Sequence, residues 1–166
     1  MISPETCDDG NLFGCNSNCI GARLGYTCTA GSPTLASVCS PVCGDGKILA
    51  TENCDDNGLT NGDGCSSTCS VETGWACLNS PAPSVCKAIC GDGKLLGTEV
   101  CDDGDVSDSS KCKGDCTGPV SGWTCSGGTP STASSCSEVC GDNVRTISEG
   151  CDGHNTNPND GCSATC

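Results

Sequence analysis

Aromatic side chains are nearly absent. The 166 residues hold two Trp, one Tyr and one Phe: Phe13, Tyr26, Trp75 and Trp123. A chain of this length normally relies on buried large side chains worth roughly 1.5–3 kcal/mol each. Ordering the backbone costs about 1–2 kcal/mol per residue, so an ordinary globular core is excluded. Basic residues are scarce too, with seven Lys and Arg against 21 Asp and Glu and a net charge of −14. A nucleic-acid partner needs a basic footprint and is excluded. Anionic membrane surfaces would repel the chain, and no apolar run approaches the length of a membrane span, so no membrane insertion is expected.

Catalytic chemistry is also poorly supplied. His154 is the single histidine. A Ser-His-Asp site needs an imidazole base, and this one sits in a Gly/Asn-rich loop. Paired carboxylates abound, but a glycosidase needs a shaped cleft around them, and four aromatics offer little wall. The sequence reads as non-enzymatic. No Asn-x-Ser/Thr sequon occurs, and Met1-Ile2-Ser3-Pro4-Glu5-Thr6-Cys7 has neither the basic nor the apolar part of a secretory leader. The expectation is a segment of a longer secreted chain, or a mature or recombinant piece.

What is present in excess is cysteine and glycine, 21 and 24 residues. That composition marks a disulfide scaffold. Disulfides persist in oxidising compartments, so the expected location is extracellular or at the cell surface.

The cysteines repeat. Cys43-Gly44-Asp45-Gly46-Lys47 recurs as Cys90-Gly91-Asp92-Gly93-Lys94 and as Cys140-Gly141-Asp142-Asn143, at separations of 47 and 50 residues. The units Cys43, Cys54, Cys65, Cys69, Cys77, Cys86 and Cys90, Cys101, Cys112, Cys116, Cys125, Cys136 share first gaps of 11, 11 and 4. Residues 43–89 and 90–139 therefore read as full repeats, and 1–42 and 140–166 as partial ones. The fold class is small, disulfide-rich and irregular, with short β-hairpins in a tandem repeat array. Gly25-Tyr26-Thr27-Cys28, Gly74-Trp75-Ala76-Cys77 and Gly122-Trp123-Thr124-Cys125 each read as one hairpin arm, returning at Cys39, Cys86 and Cys136. Lys47-Ile48-Leu49 and Lys94-Leu95-Leu96 read as small strands, and no segment reads as an amphipathic helix. Contacts are expected mainly between neighbouring repeats.

Several candidate chemistries follow. The loop holding Asp55, Asp56, Asn57 and Asp63 offers hard oxygens of the type Ca2+ takes. The competing reading is an Asx/Gly turn whose carboxylates cap backbone N–H groups. The repeats vary the set: Phe13 and Ser110 stand at the place of Asp63, and Gly153 at that of Asp56. That variation favours turns, and calcium stays as a candidate cofactor with no other expected. Cys65-x3-Cys69 and Cys112-x3-Cys116 have short spacings, but no Cys-x2-Cys pair supports a zinc site. Trp75, Trp123 and Tyr26 are candidate sugar platforms, though their place before a cysteine favours packing against a disulfide. The last loop of each unit is rich in Ser, Thr and Pro, like O-glycosylated stalk sequence. The candidate positions for attached glycans are Ser32, Pro33, Ser40, Pro41, Ser80, Pro81, Pro83, Thr129 and Pro130.

The string CGDGKILATENCDDNGLTNGDGCSSTCSVETGWAC, residues 43–77, resembles the Myxococcus-type cysteine-rich disulfide repeat, also known as a domain of unknown function in surface proteins of ciliates, algae and bacteria. Similar units occur in pappalysin metalloproteases, outside the catalytic domain. The resemblance implies an extracellular, disulfide-bonded, non-catalytic module in arrays. Its algal and ciliate distribution points to a ciliary or flagellar surface and to filaments such as flagellar hairs (mastigonemes), with other copies or other filament subunits as partners. Six cysteines admit 15 pairings, and the residues alone do not choose. If the four cysteines of the last unit form a closed set, nesting is the compact solution, and the pappalysin resemblance implies the same. It gives Cys7–Cys15, Cys28–Cys39, Cys43–Cys69, Cys54–Cys65, Cys77–Cys86, Cys90–Cys116, Cys101–Cys112, Cys125–Cys136, Cys140–Cys166 and Cys151–Cys162. Cys19 is left over, with its partner expected upstream of Met1.

The sequence thus reads as a structural segment, a spacer or a building block of an extracellular filament. Two alternatives are a calcium- or glycan-binding adhesive module and the accessory repeats of a secreted metalloprotease.

Overall fold

A computed structural model describes residues 6–10, 13–29, 31–32, 34–107, 111–157 and 161–166. Six short strands form three two-stranded sheets, and no helix occurs among the described residues. β1 (Tyr26–Cys28) pairs with β2 (Cys39–Pro41), β3 (Trp75–Leu78) with β4 (Val85–Ala88), and β5 (Trp123–Thr129) with β6 (Thr132–Glu138). The first and third pairs are antiparallel, with Cys28 opposite Cys39 and Cys125 opposite Cys136. A disulfide crosses each hairpin between its two strands.

The hairpins start where they do because of glycine. Gly25, Gly74 and Gly122 have φ of 88°, 88° and 87°, a left-handed conformation that a side chain disfavours. The aromatic residue that follows faces inward with the hairpin cysteine, and its neighbours Thr27, Ala76 and Thr124 face solvent. That is the alternation of a strand with one covered face.

Each repeat closes with a second recurrent turn. The N–H of Cys19, Cys69, Cys116 and Cys166 donates to the carbonyl three residues back, at 2.8–3.1 Å. All four have positive φ, between 47° and 56°. Their carbonyls accept from Thr6, Asn53, Val100 and Gly150, each just before a second-position cysteine, at 2.9–3.1 Å. Backbone bonds therefore hold the same geometry that the bridges staple.

The core is sulfur. Among the described residues the buried apolar ones are Cys7, Cys15, Cys54, Cys65, Cys69, Cys101, Cys112, Cys116 and Cys162. In the third repeat Cys101, Cys112 and Cys116 cluster, with Cys90 and Cys125 packed against them. Aliphatic side chains such as Leu24, Leu35, Leu78 and Ile147 lie exposed.

Lys47-Ile48-Leu49 and Lys94-Leu95-Leu96 are not strands. Glu52 and Glu99 account for the difference. The Leu49 N–H donates to Glu52 Oε2 at 2.8 Å while the Glu52 N–H donates to the Leu49 carbonyl at 3.0 Å. This reciprocal turn takes up the backbone groups that a strand would need, and Glu99 repeats it with Leu96.

The chain divides into two compact units, Met1–Lys87 and Ala88–Cys166. In the first, the base of the β1–β2 hairpin rests on the following Cys-Gly-Asp-Gly turn. The Val42 N–H donates to the Gly25 carbonyl at 2.8 Å, and a Cβ added to Gly25 would lie 2.5 Å from Leu49 Cδ1. In the second, β5–β6 meets the turn after Cys140 in the same way. The Val139 N–H donates to Gly122 at 2.9 Å, and Thr146 Oγ1 donates to Glu138 Oε1 at 2.5 Å.

Candidate functional site

The recurring chemical centre is an aspartate placed directly after the second cysteine of a repeat. Asp55 and Asp102 are completely buried. Asp55 Oδ2 accepts the N–H groups of Gly44 and Asp45 at 3.0 and 3.2 Å, and Oδ1 accepts those of Gly46 and Asn57 at 3.0 and 2.9 Å. The carboxylate is the template around which the Cys-Gly-Asp-Gly turn folds. Asp102 does the same for Gly91, Gly93 and Gly104, and Asp152 accepts from Gly141 at 2.6 Å. A buried carboxylate is tolerable only when so fully hydrogen-bonded. Asn143 takes the second glycine's place in the last turn with φ 71°, which its short polar side chain permits.

A second contact locks the hairpin onto this centre. The Asp55 N–H donates to Ser84 Oγ at 2.9 Å, and the Ser84 N–H donates to the Asp55 carbonyl at 2.6 Å. Ser84 Oγ in turn donates to Asn79 Oδ1 at 2.8 Å, and Asn79 Nδ2 donates to the Asn53 carbonyl at 2.8 Å. Ser37 clamps Asp8 and Ser134 clamps Asp102 by the same pair of bonds. All three serines are buried. Sequence reasoning missed them, although a signal was present: each stands two residues before the second hairpin cysteine, as Ser-x-Cys.

The calcium candidates separate by environment. Asp55 is taken up by backbone donors, and the Asn57 N–H is one of them. Asp56 Oδ1 caps the Gly58 N–H at 3.1 Å. Burial, with the charge of Asp63 next in weight, holds the Asp56 carboxyl above the usual range. Asp9 and Asp103 stand at the place of Asp56. They accept the N–H groups that close the third-cysteine loop, Gly14 and Cys15 in one case and Lys111 and Cys112 in the other. Asx turns of this kind recur at Asp8, Asp45, Asp92 and Asp142. Burial is also the first cause of the raised pKa of Glu52 and Glu99, with Asp55 and Asp102 adding repulsion. Among the described residues three groups of acidic and cysteine side chains gather closely enough to hold an ion, Glu52–Asp55–Cys69, Cys90–Glu99–Asp102–Cys116 and Cys140–Glu149–Cys166, with their cysteines in bridges.

Ten disulfides join Cys7–Cys15, Cys28–Cys39, Cys43–Cys69, Cys54–Cys65, Cys77–Cys86, Cys90–Cys116, Cys101–Cys112, Cys125–Cys136, Cys140–Cys166 and Cys151–Cys162. Cys19 lies outside these ten and occupies the backbone position of Cys69, Cys116 and Cys166. The aromatic residues sit beside hairpin bridges. A Cβ on Gly64 would lie 2.3 Å from Cys86 Cβ and 2.9 Å from the Trp75 ring, and one on Gly14 would lie 2.1 Å from Cys39 Cβ and 3.4 Å from Tyr26. Lys111 replaces this glycine in the third repeat, and its ammonium lies 5.5 Å from the Trp123 ring centroid, within cation–π range.

Ser32, Ser80, Pro81, Pro83 and Pro130 are exposed on hairpin loops, Thr129 is exposed at the end of β5, and Ser40 is exposed on β2 beside half-buried Pro41. Ser80-Pro81 and Ala82-Pro83 are cis. Pro33 lies outside the described residues. His154 is exposed.

Hairpin, templated turn and nested bridges together define a cystine-stapled repeat module in tandem copies, compatible with an extracellular structural role. The family model described as a domain of unknown function (DUF4215) matches three times in succession, over residues 25–70, 72–117 and 122–166, and the chain belongs to that family. Each match opens at or just before the Gly-aromatic hairpin and closes at or just after a fourth-position cysteine. No curated protein and no solved structure matches the chain.

Proposed function

We propose that the chain is a structural, non-catalytic segment of a secreted or cell-surface protein, a stapled array that serves as spacer or building block of an extracellular filament. One observation carries the reading. In the two full repeats the recurring side-chain chemistry is spent inward, on holding the repeat's own turns: buried aspartate on backbone N–H, serine on aspartate, cystine on cystine. Where a hairpin base meets the next turn within a unit, the contact passes geometry from one repeat to its neighbour, as a quasi-linear array requires. Sugar on the exposed positions Ser32, Ser40, Ser80 and Thr129 would add bulk and solubility without disturbing these clamps. A flagellar-hair type of assembly is the finer reading, with other copies or other filament subunits as partners.

The test is electron microscopy of native, non-reduced material from the source cell surface, with immunogold directed at this chain. Label distributed along fibres supports the filament role. Label confined to a soluble secreted protease, or a saturable small ligand bound by the isolated chain, overturns it in favour of an accessory or adhesive module.

A further inference from the structure

The first repeat differs from the others in how its sulfurs are arranged. Its second-to-third cysteine loop spans 8 residues, against 11 in each of the other three repeats. In this repeat the Cys7–Cys15 bridge lies against the hairpin bridge Cys28–Cys39. Cys39 Sγ lies 3.8 Å from both Cys7 Sγ and Cys15 Sγ. All four sulfurs lie within 4.8 Å of one another, and among the described residues no other four cysteines gather so closely. Zinc takes four thiolates tetrahedrally at about 2.3 Å, which sets the sulfurs at about 3.8 Å from each other. Two edges of such a tetrahedron already have that length while both bridges are closed. Cys7 and Cys15 are 2 % and 1 % exposed, so the centre is shielded on one side. A chain of net charge −14 favours a cation.

We infer that Cys7, Cys15, Cys28 and Cys39 form a redox-gated zinc site, closed as two disulfides in the oxidised chain and competent for one Zn2+ when both are reduced. Each disulfide takes up two electrons and two protons to give two thiols. A dithiol supplies both and closes to its own disulfide, and a tertiary phosphine does so with water and ends as its oxide. Zn2+ then replaces the four thiol protons, which pass to solvent. The spacing along the chain gives no hint of this, because two separate loops contribute two ligands each. The inference does not depend on the filament reading.

The test uses the whole chain under anaerobic conditions. It is treated with two equivalents of a water-soluble phosphine in the presence of Zn2+, desalted, assayed for metal, then alkylated and mapped. The expected result is one Zn2+ retained per chain. Cys7, Cys15, Cys28 and Cys39 should resist alkylation until a chelator is added, and Co2+ in place of Zn2+ should give the absorption of a tetrahedral thiolate complex. The double variant Cys28→Ser/Cys39→Ser removes only the hairpin bridge and should lose the retained metal. The matching variant Cys77→Ser/Cys86→Ser should keep it, which controls for general damage. Loss of zinc from neither variant or from both, protection of a different set of cysteines, or no metal retained at all would overturn the inference.

Discussion

At the scale of single residues, a few buried polar groups decide the fold. Asp55→Ala strands four N–H groups inside the repeat, those of Gly44, Asp45, Gly46 and Asn57. Each buried donor left unmet costs about 1–3 kcal/mol, so the variant should lose at least about 3 kcal/mol in denaturant unfolding of the oxidised chain. Ser84→Ala removes the acceptor of the Asp55 N–H but spares the backbone bond. A loss of about 1 kcal/mol is expected. Glu52 and Glu99 give a pH signature. Their folded pKa values lie above the ordinary 4.5, so the native chain holds their protons more tightly than the unfolded one. The stability they contribute is full below about pH 4.5 and is lost as pH rises through the raised folded values. Thermal unfolding of Glu52→Gln/Glu99→Gln should therefore change less than that of the parent between mildly acidic and neutral pH. Parallel curves for the two chains would show that these carboxyls are not linked to folding.

At the scale of elements, each hairpin depends on a close approach of backbone to bridge. Gly64→Ala places a Cβ 2.3 Å from Cys86 Cβ and 2.9 Å from the Trp75 ring. The hairpin must lift, at a cost of about 1–3 kcal/mol. Gly62→Ala has a similar left-handed φ of 94° but meets nothing within 4 Å. Its cost should stay near the strain of the backbone alone, about 1–2 kcal/mol. Amide hydrogen exchange at Ser84 separates the two, because only the first variant should release the clamp between hairpin and Asp55. Equal exchange in both would mean that the hairpin is held by its bridge and not by its seat on Gly64.

At the scale of the whole molecule, stability is covalent. With cysteine as the buried apolar residue type among the described residues, no apolar core takes over once the bridges open. Each contributes about 2–4 kcal/mol, less where its loop is short. Full reduction should abolish the resistance of the chain to a non-specific protease, followed by gel electrophoresis, while calcium should leave the melting temperature unchanged because the templating carboxylates already serve backbone donors. A calcium-dependent rise in melting temperature would restore the acidic loops as an ion site.

The class of molecule is legible in the residues alone. Scarce aromatics and abundant cysteine exclude an apolar core whatever the chain path, and the recurring Cys-Gly-Asp-Gly and Gly-aromatic-x-Cys strings carry their turn geometry locally, in Gly44, Gly25 and their equivalents. The tertiary structure decided what distant residues do to one another. Ser84 reaches Asp55 across 29 residues, and Glu52 closes a turn over Leu49 that composition reads as a strand. Asp55 and Asp63 look alike as letters in one acidic loop, yet one is sealed inside the repeat and the other lies exposed. The physical reason is that local turn preference acts through neighbouring φ and ψ, whereas burial and hydrogen-bond partners exist only after the bridges have brought the loops together.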